Sequence, residues 1–129
     1  MKQKIILLWG IFFIITAIIL GAFGAHALKK VLTVENLSSF ETGIKYQMYQ
    51  GLAFLFIGVM ALKWKFILKW PLNLMLLGTV CFSFSIYGLA LQKLLGISLS
   101  FLGPITPIGG ALLIVGWGIL GFKIWKSEE

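Results

Sequence analysis

The side chains best able to do chemistry in this sequence are its single histidine and a group of hydroxyl and amide residues. His26 follows a run of mostly small residues, 21–25, at the end of a long apolar stretch. Imidazole titrates near neutral pH, so His26 could exchange a proton or contact a lipid headgroup. The alternative, which we favour, is an interfacial histidine bonded to a backbone carbonyl or to Tyr46.

A polar stripe is predicted on the helix that contains residues 42–50. At 100° per residue, the hydroxyl and amide side chains of this segment fall on one face. Polar groups at membrane depth need partners inside the protein, so the stripe should face other helices. It either joins helices, which we favour, or lines a solvated ligand pocket. With neighbouring helix ends, it forms one predicted packing or ligand cluster: His26, Thr42, Tyr46, Gln47, Gln50, Ser85, Gln92 and Thr106.

The sequence contains no recognisable catalytic or metal-binding set. One histidine and one cysteine, Cys81, on different predicted helices, are too few ligands for a structural zinc site. Nucleophilic catalysis would require Ser83 or Ser85 beside His26, and no orienting carboxylate accompanies them. Phosphate-binding loops and dinucleotide fingerprints are also missing. We therefore predict no catalytic residue, no metal and no cofactor.

The composition is that of an integral membrane protein. Of 129 residues, 60% are hydrophobic, and the mean hydropathy is +1.01. A chain of this size cannot bury so much apolar surface in a soluble core. The net charge of +7 comes from lysine without any arginine. Because nucleic-acid recognition relies on arginine forks, we predict membrane lipid and not nucleic acid as a partner.

Four uncharged runs predict an all-α fold, an integral membrane four-helix bundle in a single domain, 1–129. The helices are expected at about 5–26, 39–63, 70–92 and 106–124. A short amphipathic interfacial segment is predicted at 29–39, between helices one and two, with a capping box starting at Ser38. Thr106 is the predicted N-cap of helix four, with Pro107 in its first turn. Residues 94–105 are either a loop or a short interfacial helix.

Small residues at helical spacing predict close contacts between these helices. Without a hydrophobic driving force in lipid, helices associate where small side chains let their backbones approach. Such positions recur every four residues in helix one. They also occur along one face of helix three and near the glycine-rich start of helix four. The predicted close-packing residues are Ala17, Gly21, Ala25, Gly78, Gly88, Gly109 and Gly110.

The lysine distribution predicts the orientation in the plasma membrane. Four crossings place both termini and the 63–69 hairpin on the same side. That side carries seven lysines, Lys2, Lys4, Lys63, Lys65, Lys69, Lys123 and Lys126, against Lys29, Lys30, Lys45 and Lys93. The positive-inside rule therefore predicts that both termini are cytoplasmic. The predicted polar cluster, with Tyr87, then lies in the outer half of the membrane.

Four blocks carry a family resemblance: GAFGAHAL at 21–28, FETGIKYQMYQGLA at 40–53, CFSFSIY at 81–87 and LGPITPIGG at 102–110. In order and spacing they resemble the small multi-pass membrane proteins of domain of unknown function family 423, typified by YgdD and YwdK, with eukaryotic transmembrane protein 256-like relatives. The resemblance covers nearly the whole chain and implies no activity. Where the family pattern has a histidine, this chain has Gln50, which argues against a paired-histidine metal or proton site.

The preferred hypothesis is therefore a non-enzymatic membrane protein of unknown biochemical activity. Its outer-half polar cluster packs the helices and binds a lipid or a small apolar ligand, in a homo-oligomer or a larger membrane complex. The alternative is a transport component for a small solute or proton, which would require an oligomer because four short helices leave little room for a path. A third hypothesis, a lipid-modifying enzyme, needs a nucleophile within hydrogen-bond reach of His26.

Overall fold

A computed structural model describes residues 1–127, and in this part of the chain all regular structure is helical. Three segments are long and apolar enough to cross a membrane: Gln3–Lys30, Lys69–Leu95 and Ser100–Lys126. These features confirm an all-α membrane fold. The helices are α1 (Gln3–His26), α2 (Val34–Met60), α3 (Lys69–Thr79), α4 (Ser85–Leu95) and α5 (Ile105–Lys126).

α2 begins earlier than its predicted start near Ser39. The side chain of Thr33 accepts a hydrogen bond from the Asn36 backbone N–H at 3.2 Å, so Thr33 is the N-cap. Residues 34–39 of the predicted interfacial segment are consequently the start of α2, and a 3₁₀ turn, Leu28–Lys30, lies before its N-cap. α2 is long enough to span a bilayer, but Glu35 and the polar residues after it make it less apolar than the three segments above.

α3 and α4 form one continuous rod with a π-helical turn, Val80–Phe84, between them. A π turn adds a residue to the helix, which changes the faces on which the following side chains lie. The sequence predicts an uninterrupted helix at about 70–92, because hydrophobic spacing alone does not reveal such a turn. Pro71 lies in the first turn of α3, as expected for a residue without a backbone N–H donor.

The connection from α4 to α5 is a short structured loop. α4 ends at Leu95, and its C-cap Gly96 adopts φ +69°, a left-handed conformation that glycine accepts at low cost. A 3₁₀ turn, Ser100–Leu102, follows, and α5 starts at Ile105. Thr106 is therefore inside the helix and not its N-cap, and no side chain caps this end.

The rods pack as two antiparallel pairs in which glycines bring backbones together. In the first pair, Gly10 of α1 lies against Gly51 of α2: a Cβ placed on Gly10 would be 2.8 Å from the Gly51 carbonyl oxygen. In the second pair, Gly109 of α5 lies directly against the backbone of Phe82 in the π turn. α2 joins the pairs by packing against the π turn and α4. Its side chains Phe54 and Ile57 complete an apolar core with residues of α1, α3 and α5.

The predicted close-packing residues differ in how they are used. Gly78, Gly109 and Ala17 are buried at helix contacts, and Gly88 accommodates the Leu102 side chain. Gly21 and Gly110 meet only side chains, whose nearest atoms are 3.7 Å or more from the position that an added Cβ would take.

Ala25 is exposed. Gly24 lies on the buried face instead, where an added Cβ would be 3.2 Å from the Phe40 ring. A four-residue step turns by 400°, so residues spaced by four drift off the contact line.

Replacing Gly109 with alanine should destabilise the protein. The added methyl group would overlap the Phe82 backbone, which a helix cannot easily move, so we expect Gly109→Ala to lower the free energy of unfolding by about 1–3 kcal/mol. Gly118→Ala on the same helix is the matched control, because no atom lies within 4 Å of its Cβ position. Thermal unfolding in detergent measures both, and equal melting temperatures for the two variants would contradict the proposed backbone contact.

Candidate functional site

The candidate site is a buried polar network centred on the side-chain amide of Gln47, which lies midway along α2 and is 0% exposed. Its Nε2 donates hydrogen bonds to the Phe13 carbonyl oxygen at 3.0 Å and to Thr16 Oγ1 at 2.6 Å. Its Oε1 accepts a hydrogen bond from the Tyr87 hydroxyl at 2.7 Å. One amide therefore joins α1, α2 and α4.

The position of the Tyr87 hydroxyl depends on a glycine one turn before Gln47. The Tyr87 ring lies against Gly43, where an added Cβ would be 2.6 Å from ring atom Cε1. Phe40 packs on the same ring with centroids 5.0 Å apart. Because residues four apart share a helix face, the phenol passes over Gly43 and ends at Gln47. The sequence Phe40-x-x-Gly43-x-x-x-Gln47 thus forms the socket for this tyrosine.

The π turn and the start of α4 place two further hydroxyls against neighbouring helices. Ser83, which is 0% exposed, donates a hydrogen bond to the Gly43 carbonyl oxygen at 2.8 Å. The hydroxyls of Ser85 and Thr106 are 2.6 Å apart, which links the start of α4 to the first turn of α5. Ser83 and Ser85 therefore fasten the same rod to α2 on one side and to α5 on the other.

Gln50 forms a separate contact one turn further along α2. Its Oε1 accepts a hydrogen bond from Trp117 Nε1 at 3.3 Å, and Gln50 is only 8% exposed. An indole N–H in the middle of a membrane helix needs an acceptor, which Gln50 provides. This bond connects α2 to α5.

The network is fully bonded within the described residues. Across residues 1–127, no buried side-chain nitrogen or oxygen lacks a hydrogen-bond partner. The Gln47 amide has two N–H donors and one carbonyl oxygen, and each has a protein partner. An unpaired amide in hydrocarbon would cost several kcal/mol, so these bonds strongly favour one arrangement of the helices. The geometry therefore supports a structural role for these side chains, in which their hydrogen bonds fix the relative positions of the helices.

The eight residues of the predicted cluster do not form one group in the structure. Gln47, Gln50, Ser85 and Thr106 make the helix-to-helix bonds described above, but in separate contacts and not in one common layer. Gln92 accepts a hydrogen bond from the Leu99 backbone N–H at 3.0 Å and so holds the α4–α5 loop.

Three predicted residues lie outside these contacts. His26 is exposed at the end of α1, and within residues 1–127 its ring has no hydrogen bond to a serine, threonine, tyrosine or cysteine. Thr42 donates only to the Ser38 carbonyl oxygen of its own helix, at 3.0 Å. Tyr46 is 43% exposed and packs on Phe82, with ring centroids 4.9 Å apart.

Sequence reasoning missed three partners in these contacts. Thr16 is a lone hydroxyl within an uncharged run, which is a weak signal because it can also bond to its own helix, as it does to the Phe12 carbonyl oxygen at 2.8 Å. Trp117 lies away from both ends of α5, unlike a tryptophan that anchors a helix at the membrane interface. This position was the sequence signal that its indole N–H needs a partner inside the protein. Tyr87 was expected in the outer layer but was not paired with Gln47.

Comparison with known proteins gives a consistent result. A family model described as "Protein of unknown function (DUF423)" matches residues 20–110. A UPF0382 membrane protein of Staphylococcus saprophyticus is 40% identical over 124 residues, covering 96% of this chain and 99% of the relative. A UPF0382 membrane protein of Haemophilus influenzae is 36% identical over 110 residues, or 85% of each chain. No solved structure matches.

A double-mutant cycle on Gln47→Met and Tyr87→Phe should reveal a direct coupling. Each substitution removes one partner of the 2.7 Å hydrogen bond while nearly conserving side-chain volume. We expect a coupling energy of about 0.5–1.7 kcal/mol, the range for hydrogen bonds between membrane helices, from equilibrium unfolding in mixed micelles.

The control cycle combines Gln47→Met with His26→Ala, because His26 is exposed and makes no bond to Gln47. Their effects should add. Additive effects of Gln47→Met and Tyr87→Phe would instead show that the amide–phenol bond does not stabilise the folded protein.

Proposed function

The chain belongs to the DUF423 family of membrane proteins, which carries no assigned activity, and on that basis we propose that it is a non-enzymatic scaffold or accessory subunit of the membrane. In this proposal it crosses the plasma membrane four times with both termini cytoplasmic. The polar side chains lock the four helices together, and the apolar outer surfaces bind lipid, a second copy or another membrane protein.

The observation that carries this proposal is the complete bonding of the Gln47 amide. A catalytic or transport group must leave a donor or acceptor free for substrate or water. At Gln47 both N–H groups and the carbonyl oxygen are used by α1 and α4. The amide is therefore suited to holding helices and not to relaying a solute.

The binding part of the proposal rests on the outer surface of α1. Within residues 1–127, the backbone of α1 comes close only to α2 and the adjoining 3₁₀ turn, so much of the circumference of α1 faces outward. Ile5, Leu8, Trp9 and Phe12 form a shallow, open apolar surface on this side of α1. Such a surface fits an acyl chain or an apolar helix.

Four crossings require that the two ends of α2 lie on opposite sides of the membrane. In a Cys81→Ser background, we expect a cysteine at Lys30 to react with an impermeant maleimide on intact cells, and a cysteine at Lys65 to react only after permeabilisation. These positions flank α2 on its two sides. Labelling of both positions, or of neither, in intact cells would exclude a crossing by α2.

Native mass spectrometry tests the scaffold function most directly. After gentle extraction from its own membrane, we expect the protein to retain lipid, a second copy or a partner subunit. Reconstituted into liposomes, it should carry no proton flux above protein-free vesicles, because the Gln47 amide is buried and its polar atoms are bonded to α1 and α4.

Two outcomes would contradict the scaffold proposal. One is a protein that remains strictly monomeric and free of lipid under gentle extraction. The other is a proton flux that is lost in Gln47→Met but unchanged in His26→Ala, since that result would place a transport path at the network. Comparison of the two variants separates a path at Gln47 from proton exchange at His26.

A further inference from the structure

A cleft lies at the end of the bundle opposite to His26, between the α2–α3 hairpin and the last turns of α5. Its volume is about 1030 Å³. Its lining includes four lysines and four aromatic residues: Lys63, Lys65, Lys123, Lys126, Trp64, Phe66, Phe122 and Trp125. None of these lysines takes part in the polar network centred on Gln47.

The cleft is strongly basic. Among the lining residues that the structure describes, all charged side chains are lysines. Four ammonium groups around one cleft repel each other and create a positive potential, which an anion would relieve. The Lys126 ammonium lies 4.9 Å from the centroid of the Phe122 ring, which restricts where this charge can lie.

The aromatic residues at this end indicate the depth of the cleft relative to the membrane. Trp64 and Phe66 stack with ring centroids 5.3 Å apart and pack on the apolar core. On the α5 side Trp125 is 79% exposed. Tryptophan beside lysine is typical of the boundary between hydrocarbon and headgroups, where indole stays at the interface and the ammonium reaches toward phosphate.

From this combination we propose that the cleft binds the phosphate of an anionic phospholipid headgroup, with the acyl chains lying along the apolar outer face of α5. This site goes beyond the scaffold function above, which uses the polar network and the surface of α1. Lys63 and Lys65 approach the phosphate from the hairpin, and Lys123 and Lys126 approach it from α5.

Lipid fits the surroundings better than a free phosphate ion. Beside the lysines, Phe122 is 52% exposed and Ile124 is 42% exposed, which provides apolar contacts for the first part of an acyl chain. An inorganic phosphate ion would gain only the charge interactions and would leave these surfaces unused. A lipid gains both contributions.

The test is lipid competition by native mass spectrometry in a neutral detergent. Equal amounts of phosphatidylglycerol and phosphatidylcholine are added, and the retained lipid is counted. We expect the wild type to retain phosphatidylglycerol at least tenfold better. A lysine near an anionic lipid contributes roughly a fivefold gain in binding, so the cleft variant K63Q/K65Q/K123Q/K126Q should lose this preference almost completely.

The matched control is K29Q/K30Q/K45Q/K93Q, which removes the same charge from the other end of the protein. It should keep the preference for phosphatidylglycerol. Millimolar inorganic phosphate should not displace the lipid. If the cleft variant does not fold, K123Q/K126Q should show an intermediate loss of the preference. The variant K63R/K65R/K123R/K126R should retain the preference, because it keeps all four positive charges.

Three results would overturn the headgroup site. The first is a folded cleft variant, with four or two lysines replaced, that still prefers phosphatidylglycerol as strongly as the wild type. The second is an equal loss in the cleft and control variants, which would indicate general surface charge. The third is displacement of the lipid by inorganic phosphate, which would identify a free-anion site.

Discussion

The structure depends on one constraint: every polar group placed inside the hydrocarbon must be bonded within the protein. Gln47 shows the consequence most clearly, because its amide can be satisfied only if α1 and α4 occupy fixed positions around α2. The glycines make this possible. Gly10 and Gly51 bring α1 close to α2, and Gly43 gives the Tyr87 ring room to reach the amide. Close packing and polar bonding therefore support each other.

The all-helical membrane fold was predictable from sequence because it follows from long uncharged runs. The predicted helix boundaries were less accurate where the sequence contains two possible capping residues for one helix. Ser38 with Glu41 is a valid capping pattern, but Thr33 caps α2 first, so the helix begins at Val34. The π turn at Val80–Phe84 was not predicted, since hydrophobic spacing does not reveal it and its contacts, with Gly43 and Gly109, are made to other helices.

The candidate site was predictable only in part, for a related physical reason. Gln47 and Gln50 stood out because amides rarely enter a membrane without a partner. Their partners could not be identified, because Thr16 and Trp117 are far away in sequence and each is unremarkable in its own helix. His26 attracted attention as the only histidine, yet it is exposed at the end of α1. Residue type indicated the need for a bond, whereas topology decided where the bond forms.

The main physical conclusion is that the Gln47 amide is shielded from water and is hydrogen-bonded to both α1 and α4. Its most direct test is hydrogen exchange of side-chain amides, measured by NMR on protein labelled with ¹⁵N at glutamine and asparagine, with Gln47→Met to assign the signal. We expect the Gln47 amide protons to exchange at least about a hundredfold more slowly than those of Asn36, which lies in the polar first turn of α2. Equal exchange rates at Gln47 and Asn36 would show that water reaches the Gln47 amide and would contradict this conclusion.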